Sequence, residues 1–168
     1  MFNLDKILLA EQLANFQIQR HDFLNSFQVI RGYLQLNMPE RALEYLDEII
    51  VELLPQQEIY KLGQKTLLAI LLSWYFSLRL RGVEMAVDFP PEMKAEEFWQ
   101  GRWQEEYAGE FYGYTKECAA SIPANEDPED LLARISLEAF PDGFQCKFRV
   151  IKIEEILLEK SFATPSLP

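Results

Sequence analysis

From Leu4 to Leu36 the chain contains no proline, and its apolar side chains return every three or four residues. Leu13, Phe16, Phe23, Phe27, Ile30 and Leu34, with Arg20 as one basic interruption, trace a seam of the coiled-coil type. Such a stretch folds as one long helix with an apolar edge that has to be covered. Gly32 lies inside it and weakens the helix by about 1 kcal/mol relative to alanine. Asn37-Met38 reads as a short turn, and Pro39 opens a second helix where a missing N–H costs nothing. Leu43, Leu46, Ile50 and Leu53 share one face of that helix, which is predicted to end near Leu54 because Pro55 follows. The two segments make an antiparallel helical hairpin. Two helices cannot enclose so long a seam, so the expectation is a homodimer whose two hairpins form a four-helix bundle.

After a polar link from Pro55 to Lys65 the pattern changes. Thr66 to Arg81 reads as a buried helix with Gly82 as its stop, and Val83 to Phe89 alternates as a strand does. Ala95 to Ala120 reads as one aromatic-rich helix carrying Phe98, Trp99, Trp103, Tyr107, Phe111 and Tyr114. Leu131 to Phe140 and Phe144 to Ile151 flank Pro141-Asp142-Gly143, the signature of a β-hairpin. A short helix or strand is expected near Ile153 to Leu158, followed by a frayed tail from Ala163. The predicted class is therefore α+β: a hairpin over residues 1–56, a small α+β layer over 57–160, and a flexible tail over 161–168.

With 27 acidic against 16 basic side chains the net charge is −11, which repels phosphate backbones and anionic lipid. No nucleic-acid or membrane partner is expected. Cys118 and Cys146 are too few for a disulfide framework and lack zinc-site spacing, so they read as two half-buried thiols. The N-terminus does not read as a secretory signal, and the run from Leu67 to Phe76 falls short of the ~20 residues that span a bilayer. A soluble, cytoplasmic protein is expected. The acidic pairs Glu96-Glu97, Glu105-Glu106 and Glu154-Glu155 read as solvated faces rather than metal ligands.

The chain has a single histidine. Each helical residue advances by about 100°, so His21, Asn25, Gln28 and Gly32 fall in one narrow arc, nearly opposite the seam. The ring is thus expected to face away from the bundle core. Imidazole suits phosphoryl acceptance, being a neutral nucleophile near physiological pH. Asp22 is placed to orient it, and Arg20 to steady developing charge. Ile18, Val29 and Leu36 form a second apolar line flanking the arc. It suits docking of a partner helix, with Gly32 giving that partner room, and equally suits packing on the chain's own second layer.

The run from Arg20 through His21, Asp22, Phe23, Asn25, Ile30, Gly32 and Leu34 to Leu36 resembles the phospho-acceptor helix of the sporulation initiation phosphotransferase B family. It also resembles that of the related citrate/dicarboxylate-type sensor kinases. Their pattern has a leucine where Phe27 stands. The resemblance covers about residues 20 to 54. It implies that His21 is the phosphorylated residue, with Arg20, Asp22, Asn25 and Gln28 as its supporting shell. It implies a homodimer that takes a phosphoryl group from one response-regulator receiver domain and passes it to another.

The related kinases add an ATP-binding domain with an asparagine-rich helix, an Asp-x-Gly-x-Gly strand end and a glycine-rich lid. Asn125 is the only asparagine after Asn37, and Asp142-Gly143 is followed by Phe144-Gln145. Gly109 and Gly113 sit in a helical stretch and make a poor phosphate cradle. The C-terminal layer therefore resembles a degenerate histidine-kinase ATPase domain. No bound cofactor is expected, and Mg2+ is expected only on the partner receiver. Two other readings stay open: a docking module that blocks transfer without chemistry, and an ATP-dependent autokinase.

Overall fold

Asn3 starts the first helix by accepting the Lys6 N–H at 3.1 Å. The computed structural model describes residues 3–165 and is α+β, as the sequence implies. Helix α1 spans Leu4–Gln35 and α2 spans Pro39–Tyr60. Asn37 takes φ +58° in the tight turn between them, a conformation that asparagine tolerates better than most residues.

Pro55 does not stop α2, contrary to the reading above: the helix runs on to Tyr60. Proline removes one ladder bond, but the last turn buries Gln56 and Ile59, and Ile59 is fully buried. The Tyr75 hydroxyl also donates to the Glu52 carbonyl at 3.1 Å beside the interruption. Tertiary burial outweighs the local penalty here.

The second layer begins with α3, Lys65–Leu80, capped by Gln64, whose side chain accepts from the Thr66 and Leu67 N–H groups. Strand β1 (Glu84–Asp88) follows. The single aromatic-rich helix expected from Ala95 to Ala120 is instead broken. A 3-10 turn at Pro91–Lys94 and a one-turn α4 (Glu96–Trp99) precede α5, Glu105–Ala120. The break contains Gly101 at φ +80°, a backbone state that lets Trp99 and Trp103 turn onto the same core.

Strands β2 (Leu131–Phe140), β3 (Gly143–Lys152) and β4 (Glu155–Thr164) form an antiparallel meander, with β1 joined parallel to β2. Leu131, Ala133, Ile135 and Leu137 alternate inward with Phe144, Cys146, Phe148 and Val150 of β3. Onto this face pack Trp74 of α3, stacked on Phe148 at 5.2 Å, and Phe111 of α5, edge-on to Phe144 at 6.2 Å. Both cysteines are fully buried here, deeper than expected, and burial pushes the Cys118 thiol up to about 11.

The C-terminal expectation also needs correction. β4 is a full strand, so Ser161 to Thr164 belong to the sheet rather than to a tail, while residues 166–168 lie outside the described residues.

Polar contacts fix α1 against this layer. Tyr112 donates to Glu11 Oε1 at 2.7 Å and Lys116 Nζ lies 3.3 Å from the same oxygen. Burial opposes the charge on Glu11, but these partners win and hold its carboxyl below its ordinary value. The contact therefore contributes stability above the ordinary carboxylate range and loses it as pH falls through the lower folded value. Gln12 donates to the Ala69 carbonyl and to the Ser73 hydroxyl, and Gln19 to Gln56 of α2. Past Asp22, α1 meets α2, where Tyr33 packs edge-on to Tyr45.

Candidate functional site around His21

His21 stands where α1 leaves the second layer, and its side chain is 73% exposed. Both of its polar contacts engage Nδ1. Asp22 Oδ1 lies at 3.7 Å and the Asn25 side-chain amide at 3.3 Å, one turn along the helix. As placed, Asn25 turns its Nδ2 donor toward Nδ1; a half-turn of the amide would bring its oxygen there instead, and in that arrangement both neighbours can accept a proton from Nδ1. A ring held in that tautomer carries its lone pair on Nε2, the atom left for a partner.

The other residues of the expected shell divide. Gln28 is exposed on the same arc. Arg20 is exposed on the seam side and makes no hydrogen bond or ion pair among the described residues, so the structure does not bring it to the ring. The second apolar line divides as well: Ile18 is half-buried, whereas Val29 and Leu36 are exposed, Leu36 at 71%. A methyl group built on Gly32 would meet no atom within 4 Å. Packing inside this chain therefore does not require the glycine, although it weakens α1.

Asp22 has a second partner that the sequence reading missed. Arg79, near the end of α3, places Nη2 3.8 Å from Asp22 Oδ2 and 3.7 Å from Glu52 Oε2. Asp22, Glu52 and Arg79 line a crevice of about 70 Å³ between α1 and α2. Arg79 and Glu52 also line a wider groove of about 450 Å³ that runs on past Pro55 and Tyr75 to Met85. One signal was available: Arg79 is the first charge after Lys65 in an otherwise apolar helix. Its partners lie 57 and 27 residues away, which no local pattern reports.

The seam forms a long exposed apolar surface on the hairpin. Leu13, Phe16, Phe27 and Leu34 on α1 are 55–64% exposed, and Leu43, Leu46 and Ile50 on α2 are exposed beside them. Phe23, Ile30 and Leu53 are half-buried. Among the described residues no group of three or more His, Cys, Asp or Glu side chains is placed to hold a metal ion, and no helix is long and apolar enough to cross a membrane.

Residues 5–62 match the family model described as Sensor kinase SpoOB-type, alpha-helical domain. The match takes in α1, α2 and the first residues of the link, about a third of the chain. The hairpin thus matches a SpoOB-type helical domain, which indicates a protein related to two-component and phosphorelay signalling. No curated protein matches the chain significantly.

Proposed function

We propose that the chain is a histidine phosphotransferase of a phosphorelay, accepting a phosphoryl group on His21 from a receiver-domain aspartate and passing it to a second receiver. The observation that carries this reading is an exposed imidazole on a SpoOB-type hairpin, with both polar contacts on Nδ1. In the step, the Nε2 lone pair attacks phosphorus. The bond from phosphorus to the partner's aspartyl oxygen breaks, and its electron pair returns to that carboxylate. The ring keeps its Nδ1 proton and becomes a cationic phosphoramidate, beside which the Asp22 carboxylate offsets the new charge. The donor receiver is expected to bring Mg2+, so this chain needs positioning more than machinery of its own. The open arc past His21, with Val29, Gly32 and Leu36, is the surface where the receiver docks.

The test mixes the protein with a phosphorylated receiver domain carrying labelled phosphate. Label is expected on this chain as an acid-labile, base-stable phosphoramidate, and is then expected to move to a second receiver. Absence of label across a broad panel of receivers would favour the docking module instead. ATP binding in a calorimeter would move the reading to an autokinase, because the relay needs no nucleotide on the C-terminal layer.

The exposed seam supports the homodimer. Apolar area of this extent on a hairpin matches the two-fold bundle expected from its spacing. Replacing Phe16 by aspartate places a charge in that interface, and the expected outcome is a monomer by sedimentation equilibrium at concentrations where the unaltered chain is dimeric. A unaltered chain that sediments as a monomer at high concentration would refute the dimer.

A further inference from the structure

We infer that Arg79 is a positioning residue for the phosphoryl transfer, acting through Asp22 on the tautomer and orientation of His21. The inference rests on the reading of His21 as the acceptor and extends it into the C-terminal layer. Asp22 is half-exposed and has two oxygens with different neighbours: Oδ1 faces His21 Nδ1 at 3.7 Å, and Oδ2 faces Arg79 at 3.8 Å. An untethered carboxylate on a helix surface samples several rotamers. The guanidinium selects the one that sets an acceptor beside Nδ1. Arg79 is held in turn from two other sides, by Glu52 of α2 at 3.7 Å and by the neighbouring Tyr75, whose hydroxyl is fixed on the Glu52 carbonyl.

Three helices thus converge on the carboxylate next to the reactive ring, and the one cation among them belongs to the second layer. Ion pairs this long between partly exposed groups add little to stability. Their consequence is geometric. With Asp22 tethered, a carboxylate stays beside Nδ1, which favours a proton on that nitrogen and leaves the lone pair on Nε2. The two carboxylates around a single guanidinium also leave net negative charge beside the ring when it becomes cationic.

Two measurements on the full chain test this. The chain has one histidine, so its 15N–1H imidazole spectrum reports a single ring. The unaltered protein is expected to show the Nδ1-protonated tautomer in excess, and Arg79→Gln to shift the population toward the Nε2-protonated form. An unchanged spectrum would overturn the inference, whatever the transfer assay shows. With a receiver that labels the unaltered chain, Arg79→Gln is expected to slow transfer at saturating receiver by about ten- to a hundredfold. The half-saturating receiver concentration should stay within about twofold, and Arg79→Lys should recover part of the rate. The double variant Asp22→Asn/Arg79→Gln should be no slower than Asp22→Asn alone. Additive losses, or a raised half-saturating concentration at unchanged maximal rate, would make Arg79 a docking contact and refute the positioning role. If no receiver labels the unaltered chain while the tautomer still depends on Arg79, the transfer reading falls and the link from Arg79 to His21 stands.

Discussion

Replacing His21 by glutamine is expected to abolish labelling by a phosphorylated receiver, by at least about a thousandfold, because no other side chain on that arc is a nucleophile. The substitution touches a side chain that is 73% exposed, so thermal stability should change by no more than about 0.5 kcal/mol. The pair of readouts matters: a lost label with an unchanged melting curve assigns the loss to chemistry rather than folding. A variant that still takes acid-labile label would place the acceptor elsewhere and end the case for His21. A variant that still binds the receiver separates docking from transfer, since the docking surface past His21 is left intact.

The second large effect is expected at Gly143. A Cβ built there falls inside the van der Waals radius of the Thr164 carbonyl oxygen and 2.9 Å from the Pro165 ring. The glycine is needed because the end of β4, beside β3 in the sheet, lies close against the start of β3, where Phe144 pairs with Thr164. Backbone cannot yield as a flexible side chain does, so Gly143→Ala should cost about 3 kcal/mol and lower the melting temperature by roughly 10 °C. Gly113→Ala is the control. It lies in the exposed face of α5 with nothing within 4 Å, and should be neutral or stabilising by up to about 1 kcal/mol. Equal effects at the two positions would show that β4 does not sit on Gly143 as described.

That position illustrates what the sequence could and could not report. Pro141-Asp142-Gly143 was legible as a hairpin turn, and the hairpin is there, but positive φ among the described residues is confined to Asn37, Ile153, Gly82 and Gly101. The glycine answers to Thr164 of β4, a residue far along the chain. β4 itself was hard to read because its alternation slips: Val150 pairs with Leu158 and Ile151 with Ile156, leaving Leu157 as an extra residue. One inserted position exchanges the two faces of a strand, so a period-two pattern cannot run through it. The helices of the hairpin were legible because a three-four repeat persists over many turns, and Pro39 marks the second start. Pro55 misled because its local cost is real but smaller than the burial of Ile59 beyond it. At the candidate site, His21 and Asn25 share a helix face and were read together, whereas Arg79 joins them only through folding.

The polar contacts that clamp α1 to the second layer run from Glu11 to Asp22, above the apolar packing of Leu4, Ile7 and Leu8. His21 sits at that upper limit, next to a buttress on one side and an open length of helix on the other. The height of the second layer is thereby a working dimension of the molecule. A layer one helical turn taller would wall off the arc at Asn25 and Gln28; one turn shorter would leave the ring on an unbraced rod.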